Sequence, residues 1–136
     1  MIINSYELPE TSLVGMVTGN FPSGFSSSNC YFPNARFTTP TNSKWMRITV
    51  NPLNTVNVSQ GGYQRTTGIM TVDLFYPIGS GTTAALAAAD DLIQAISNTE
   101  TAYVKLYEGK LTPRQEASWY RLQIDFNYTH EGLANA

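Results

Sequence analysis

Few side chains in this sequence are of the types that do covalent or acid–base chemistry, and their spacing limits what they can do. Gly79-Ser80-Gly81 stands before Thr82-Thr83 and an alanine-rich stretch, and the free amides and positive dipole end of a helix start attract anions. A phosphate-binding loop needs four residues between its glycines and a Lys-Ser/Thr after them. A dinucleotide fingerprint needs a third glycine where Ala84 stands. The stretch therefore reads as an ordinary strand-to-helix turn. Asp90-Asp91 reads as a solvated helix face, because neighbours on a helix point about 100° apart and do not share a metal or a proton. His130, beside Glu131 near the C-terminus, reads as a surface histidine. Cys30 lies between aromatics with no cationic helper nearer than Arg36, which describes a buried, inert thiol. No Gly-x-Ser-x-Gly elbow activates a serine. The expectation is a protein that is not an enzyme, with no cofactor, no metal and no catalytic residue.

Two motifs point elsewhere. Trp45-Met46-Arg47 and Trp119-Tyr120-Arg121 each place an arginine two residues after a tryptophan, on the strand face opposite the main apolar one. The local reading is stacking of guanidinium on indole across strands. Tryptophan and arginine are also enriched at interface hot spots, which favours a second face used for assembly.

These residues must be positioned by a small fold. The chain has 136 residues, 42% hydrophobic and 12% aromatic, enough for one core, and the expectation is a single domain over 1–136. Only 13% of residues are charged, about half the fraction usual for a soluble protein. Eight Lys+Arg against ten Asp+Glu provide neither the basic stripe of a nucleic-acid binder nor a polybasic membrane patch. One cysteine and one histidine exclude a disulfide framework and a zinc site of the usual kind. Met1-Ile2-Ile3-Asn4 runs into polar residues without a secretory pattern, and no run approaches the ~20 apolar residues that span a bilayer.

The chain divides near residue 43. Residues 1–43 read as an irregular segment containing a short helix around Leu13, Val14, Met16 and Val17. Phe21, Phe25, Tyr31, Phe32 and Phe37 would pin that segment to a surface, its own or a neighbour's. Residues 44–130 read as an α+β core. Met46, Ile48 and Val50 alternate as a strand that Pro52 ends, 54–66 forms a long hairpin arm, and Gly68 to Tyr76 is a strand covered on both faces. Ala85, Leu86, Ala89, Leu92, Ile93 and Ile96 recur at helical spacing over about 83–97, with Thr82 or Thr83 as N-cap and Asn98 as a left-handed stop. Residues 101–107 alternate as a short strand, 108–110 turn, and 117–129 form a long strand with Tyr120, Leu122, Ile124, Phe126 and Tyr128 inward. The sum is a mixed, mostly antiparallel sheet of four to five strands with a main helix and a short N-terminal helix packed on it. In the arm, Val56, Val58 and Tyr63 would waste apolar surface in water, and Gly61-Gly62 would supply a hinge. The subunit interface is therefore expected at Trp45, Arg47, Val56, Val58, Tyr63, Arg65, Trp119 and Arg121.

Asn34-Ala35-Arg36-Phe37-Thr38-Thr39-Pro40, Trp45-Met46-Arg47, Arg65-Thr66-Thr67-Gly68, Val72-Asp73-Leu74-Phe75-Tyr76-Pro77-Ile78-Gly79-Ser80-Gly81 and Ala89-Asp90 follow one another in an order that resembles the phage tail terminator, or lambda-type tail-completion, family. The resemblance covers about residues 34 to 130 and is densest from Arg65 to Asp90. It implies an α+β subunit without catalytic residues that assembles into a hexameric ring on the head-proximal end of the tail tube, ends tube growth and offers a head-joining surface. Implied partners are further copies of the chain, the tail tube protein, a head–tail connector or neck protein and a tail sheath. DNA only passes through the lumen, with no sequence-specific binding and no membrane involved. The implied location is the virion tail, after assembly in the host cytoplasm. A neck, head–tail joining or tail-tube ring protein is the alternative within this class. A phosphate- or nucleotide-binding enzyme using Gly79-Ser80-Gly81 is the alternative from another.

Overall fold

The computed structural model describes residues 7–57, 63–101 and 103–133. Along the chain come α1 (Glu7–Thr18), a single 3-10 turn (Ser27–Asn29), β1 (Cys30–Tyr31), β2 (Trp45–Asn57), β3 (Tyr63–Pro77), α2 (Thr83–Ile96), β4 (Lys105–Leu106), β5 (Lys110–Glu116) and β6 (Trp119–Leu133). The strands make one six-stranded sheet in the order β1-β2-β3-β6-β4, with β5 also paired to β6. β1 lies parallel to β2, and the pairings of β2 with β3 and of β6 with β3, β4 and β5 are antiparallel. The fold is α+β with a mixed, mostly antiparallel sheet, as expected. The sixth strand is β5, whose sequence KLTPRQE carries no apolar alternation. It forms as the partner of β6 across the two-residue turn Ala117-Ser118, where Ala117 adopts φ 43°.

Both helices pack on one face of the sheet, here the near face. α2 presents Ala85, Ala88, Ala89, Leu92 and Ile96 to it, a stripe at helical spacing whose alanines permit close approach. Met46 and Ile48 of β2, Met70, Val72 and Leu74 of β3, and Leu122, Ile124 and Phe126 of β6 are essentially fully buried beneath. α1 adds Leu13 and Val17, also fully buried. Thr82 is the N-cap of α2, but its side chain makes no cap hydrogen bond, contrary to expectation. Asn98 is left-handed, φ 56°, as expected, but the helix has already ended one residue earlier at Ser97, whose backbone is extended.

The irregular stretch after α1 is pinned to its own subunit. Phe25 is buried edge-on against Tyr76, at 5.8 Å between ring centroids, and Lys44 Nζ lies over both rings. Phe21 and Phe32 pack against the core. This stretch is not wholly irregular, because Cys30 and Tyr31 add a parallel strand beside Met46 and Arg47.

Three strand expectations change. Pro52 does not end β2, which continues to Asn57 with a bulge between Pro52 and Asn54. A proline is tolerated there because β2 is an edge strand beyond Arg47 and the missing N–H interrupts no outer ladder. The arm is a paired ribbon: 54–57 pair with 64–67, and β3 pairs with β6 out to Tyr63 and Leu133. Its tip, 58–62, with Val58 and Gly61-Gly62, lies outside the described residues. The strand expected over 101–107 contracts to Lys105–Leu106.

Candidate functional site

Among the described residues, no helix lies over the opposite, far face of the sheet. The registers place Trp45, Arg47 and Thr49 of β2, Phe75, Asp73 and Thr71 of β3, and Arg121, Gln123 and Asp125 of β6 there in cross-strand rows, with Arg114, Thr112 and Lys110 of β5 continuing them. The near-face partners of these strands are the apolar core, so period-two alternation alone puts the polar residues outward.

Asp73 organises this face. Its side chain is only 2% exposed, and it accepts from Arg121 Nε at 2.8 Å and from Arg47 Nη2 at 3.0 Å and Nε at 3.3 Å. Arg121 Nη1 also donates to Glu116 at 2.8 Å. Burial opposes the charge of Arg121, but its hydrogen bonds and attraction to Asp73 and Glu116 outweigh it and hold the guanidinium pKa above its ordinary value. Both guanidinium groups stand over the Phe75 ring, at 5.3 Å and 5.9 Å. The expected stacking on indole is thus replaced by stacking on a phenyl ring. Next along the face, Asp125 accepts from Thr71 Oγ1 at 2.7 Å and from Gln123 Nε2 at 3.1 Å.

The tryptophans are spoken for within the subunit. Trp45 stacks flat on Phe75, with centroids 4.0 Å apart and planes 5° from parallel, and Phe37 tilts over it at 5.5 Å. Trp119 meets both rings edge-on. Phe37 in turn stacks on Tyr31, so the segment before β2 covers this end of the far face. Trp45 is buried, and its indole N–H has no partner among the described residues.

At the ribbon end, Arg65 pairs with Glu131 on the surface, and Val56 and Tyr63 are 43% and 49% exposed. Val56 faces Arg65 across the ribbon. The bulged residue, Leu53, 59% exposed, shifts the parity of β2 and so puts Val56 on the far face with Arg47. The structure therefore assembles Trp45, Arg47, Val56, Tyr63, Arg65, Trp119 and Arg121 on a single face, in two clusters at its two ends; Val58 falls outside the described residues. Sequence reasoning missed Asp73 as their centre, although a lone carboxylate between Val72 and Leu74 was the available signal. It also missed Lys110 and Arg114, because β5 itself was not foreseen.

The remaining candidates fall into place. Cys30 is buried, and burial pushes its thiol up to about 12, as an inert thiol requires. His130 is not a surface residue: it is buried, its Nδ1 hydrogen-bonded to the Tyr103 carbonyl, because β6 runs past it to Leu133. Its Nε2 has no hydrogen-bond partner among the described residues. Gly79 and Gly81 have φ 91° and 84°, and Ser80 Oγ donates to the Pro77 carbonyl at 2.6 Å, so this is a tight turn held by its own serine. Asp90 and Asp91 are exposed on α2. A cavity of about 570 Å³ lies on the far face near the ribbon, lined by Arg65, Thr67, Tyr103, Lys105 and Glu131 among others. No group of three or more potential metal ligands occurs among the described residues, and no helix among them is long and apolar enough to cross a membrane.

The family model described as phage tail terminator protein matches residues 24–128. The chain belongs to the phage tail terminator family. It is therefore a structural protein of the phage tail, and its place is in the virion with other tail proteins. The matched span of this tail terminator runs from the segment that carries Phe25 and Phe37 to Tyr128 of β6, and so includes the whole Asp73 network. No curated protein matches the chain. Among the solved structures that match, one aligns with a TM-score of 0.69 at 17% identity, over 93% of this chain and 95% of that one, which shows a shared fold.

Proposed function

We propose that this tail terminator forms a ring, of six copies, that caps the head-proximal end of the tail tube, ends tube growth and provides the surface that a head–tail connector or neck protein joins. Membership of the family carries this reading. The geometry supports it: among the described residues no helix covers the far face, and the ribbon exposes Leu53, Val56 and Tyr63 in water, surface that a neighbouring subunit or the tube protein would cover. In this reading 1–136 is one terminator domain. The ribbon residues Val56, Val58, Tyr63 and Arg65 contact a neighbour. Arg47 and Arg121 offer only their outer edges, and Trp45 and Trp119 brace them from within. DNA passes through the lumen without base contacts.

The test replaces 58–62 by Asn-Gly, which keeps the paired ribbon and removes its tip. Electron microscopy of tail tubes should show wild-type rings at one end and open, overgrown tubes with the variant, whose melting transition stays near wild type. Wild-type protein that is monomeric at all concentrations and absent from tube ends refutes the ring. Rings found along the tube or in the neck, rather than at the tube end, would instead favour a tube or joining protein.

A further inference from the structure

The two helices of this slab carry only acidic charge. α1 and α2 contain no lysine, arginine or histidine. Glu10, Asp90 and Asp91 are exposed on them with no ion-pair partner among the described residues. Around the two aspartates the outward surface of α2 consists of Ala84, Ala87, Gln94 and Ala95, short side chains that leave the helix open to close approach. The far face of the sheet carries both signs, with Arg47, Arg65, Arg121, Lys110 and Arg114 alongside Asp73, Glu116, Asp125 and Glu131. All four ion pairs of the described residues lie on the far face and use Arg47, Arg65 and Arg121. Lys110 and Arg114 of β5 are left exposed and without an ion pair among the described residues. They point to the far face, opposite Asp125 and Arg121, about 13 Å apart along the strand.

We infer that the outward face of α2 in one copy docks on the β5 side of the far face in the next, with Asp90 and Asp91 against Lys110 and Arg114. This rests on the ring reading and names the two surfaces that meet. The occupant is a second copy because one chain carries both halves of the contact: a small-residue surface with two exposed aspartates on one side and, on the other, a strand whose exposed Lys110 and Arg114 have no ion pair among the described residues. A two-fold pairing through either surface would set like charges against each other, aspartates on aspartates or Lys110 and Arg114 on their own copies. Only a head-to-tail contact joins unlike ones, and head-to-tail contacts whose rotation closes make rings.

Charge exchange tests it, read as ring population by native mass spectrometry and on tube ends by microscopy. D90K/D91K and K110E/R114E each create a like-signed contact and should weaken assembly about 100-fold, as like charges facing each other across an interface do. All four positions are exposed, so each variant should melt near wild type. Combining the four substitutions in one chain restores the contact with its signs reversed and should restore rings, as should an equimolar mixture of the two double variants, whose copies alternate. Single-face variants that assemble like wild type, or a fourfold variant as defective as they are, overturn the inference while wild-type rings still stand. Absence of wild-type rings overturns the ring reading itself.

Discussion

Asp73→Asn is the perturbation that tests how the far face is held. The carboxylate lies 2% exposed between two guanidinium groups whose side chains are 35% and 18% exposed. It accepts three hydrogen bonds from them. The carboxamide keeps the shape but loses the charge, and its NH2 must face one of the two donors. Removing one member of a buried ion pair costs about 3–5 kcal/mol. Here the figure is lower, about 3 kcal/mol, because Arg47 can turn to water and Arg121 keeps Glu116. For a chain of this size that corresponds to a fall in Tm of about 10 °C, measured by calorimetry or by circular dichroism. The source of the loss can be separated from packing: R47M/D73L/R121M removes both orphaned cations and keeps a flexible side chain against Phe75. It should recover most of the lost stability, since apolar replacement of a buried ion network is often neutral or better. A D73N variant within about 2 °C of wild type, or a triple variant no better than D73N, refutes the view that Asp73 neutralises these two arginines.

Three further outcomes follow from the core. The Cys30 thiol, buried and pushed up to about 12 from 9.0, should resist a thiol reagent at pH 8 until the protein is unfolded; native labelling as fast as in denaturant contradicts its burial. Above about pH 9 the unfolded thiol loses its proton while the folded one keeps it, so stability should fall between about pH 9 and 12. Burial raises Tyr76 in the same direction, and C30A should flatten only part of the slope. Gly68→Ala would place a Cβ 2.6 Å from Tyr128 Oη and 2.7 Å from the Asn51 carbonyl, in the middle of the β2–β3–β6 ribbon. Such overpacking costs about 1–3 kcal/mol, and an unchanged thermal midpoint would mean the ribbon gives way locally.

What the sequence made legible was whatever repeats. α2 announced itself through Ala85, Ala89, Leu92 and Ile96, and β3 and β6 through apolar residues at every second position, because burial of one face imposes that period. Pro52 misled because a proline bars only a paired edge, and which edge is paired is a fact of topology. β5 was illegible because KLTPRQE buries little; its strand form comes from the turn at Ala117-Ser118 and the neighbour β6. The second face was legible as a face, through Trp45/Arg47 and Trp119/Arg121. What covers it was not, since nothing in the spacing of Phe37 says that it folds back over Trp45. His130 was misplaced for a related reason: depth depends on where a strand stops, and Thr129-His130-Glu131 carries no stop signal.

The scarcity of charge now has a physical meaning. With 8 basic and 10 acidic residues in 136, a subunit cannot keep every surface solvated by charge, and this chain concentrates what it has. Three arginines of the far face, Arg47, Arg65 and Arg121, are spent on Asp73, Glu116 and Glu131, which fixes those side chains before any partner arrives. An interface whose arginines are already held loses less side-chain freedom on association, at about 0.5–1.5 kcal/mol for each rotamer-rich side chain it need not immobilise. The aromatic stack of Phe37, Trp45, Phe75 and Trp119 does the same for the far face at the end away from the ribbon. A rigid slab with unlike faces, rather than a flexible arm reaching for a partner, is what a ring of fixed diameter requires, because the angle between the two faces of each copy sets how many copies close it. Loosening that slab at Asp73 should therefore broaden the distribution of ring sizes under conditions where D73N remains folded, whereas weakening the Asp90/Asp91 contact should lower the number of rings without changing their size.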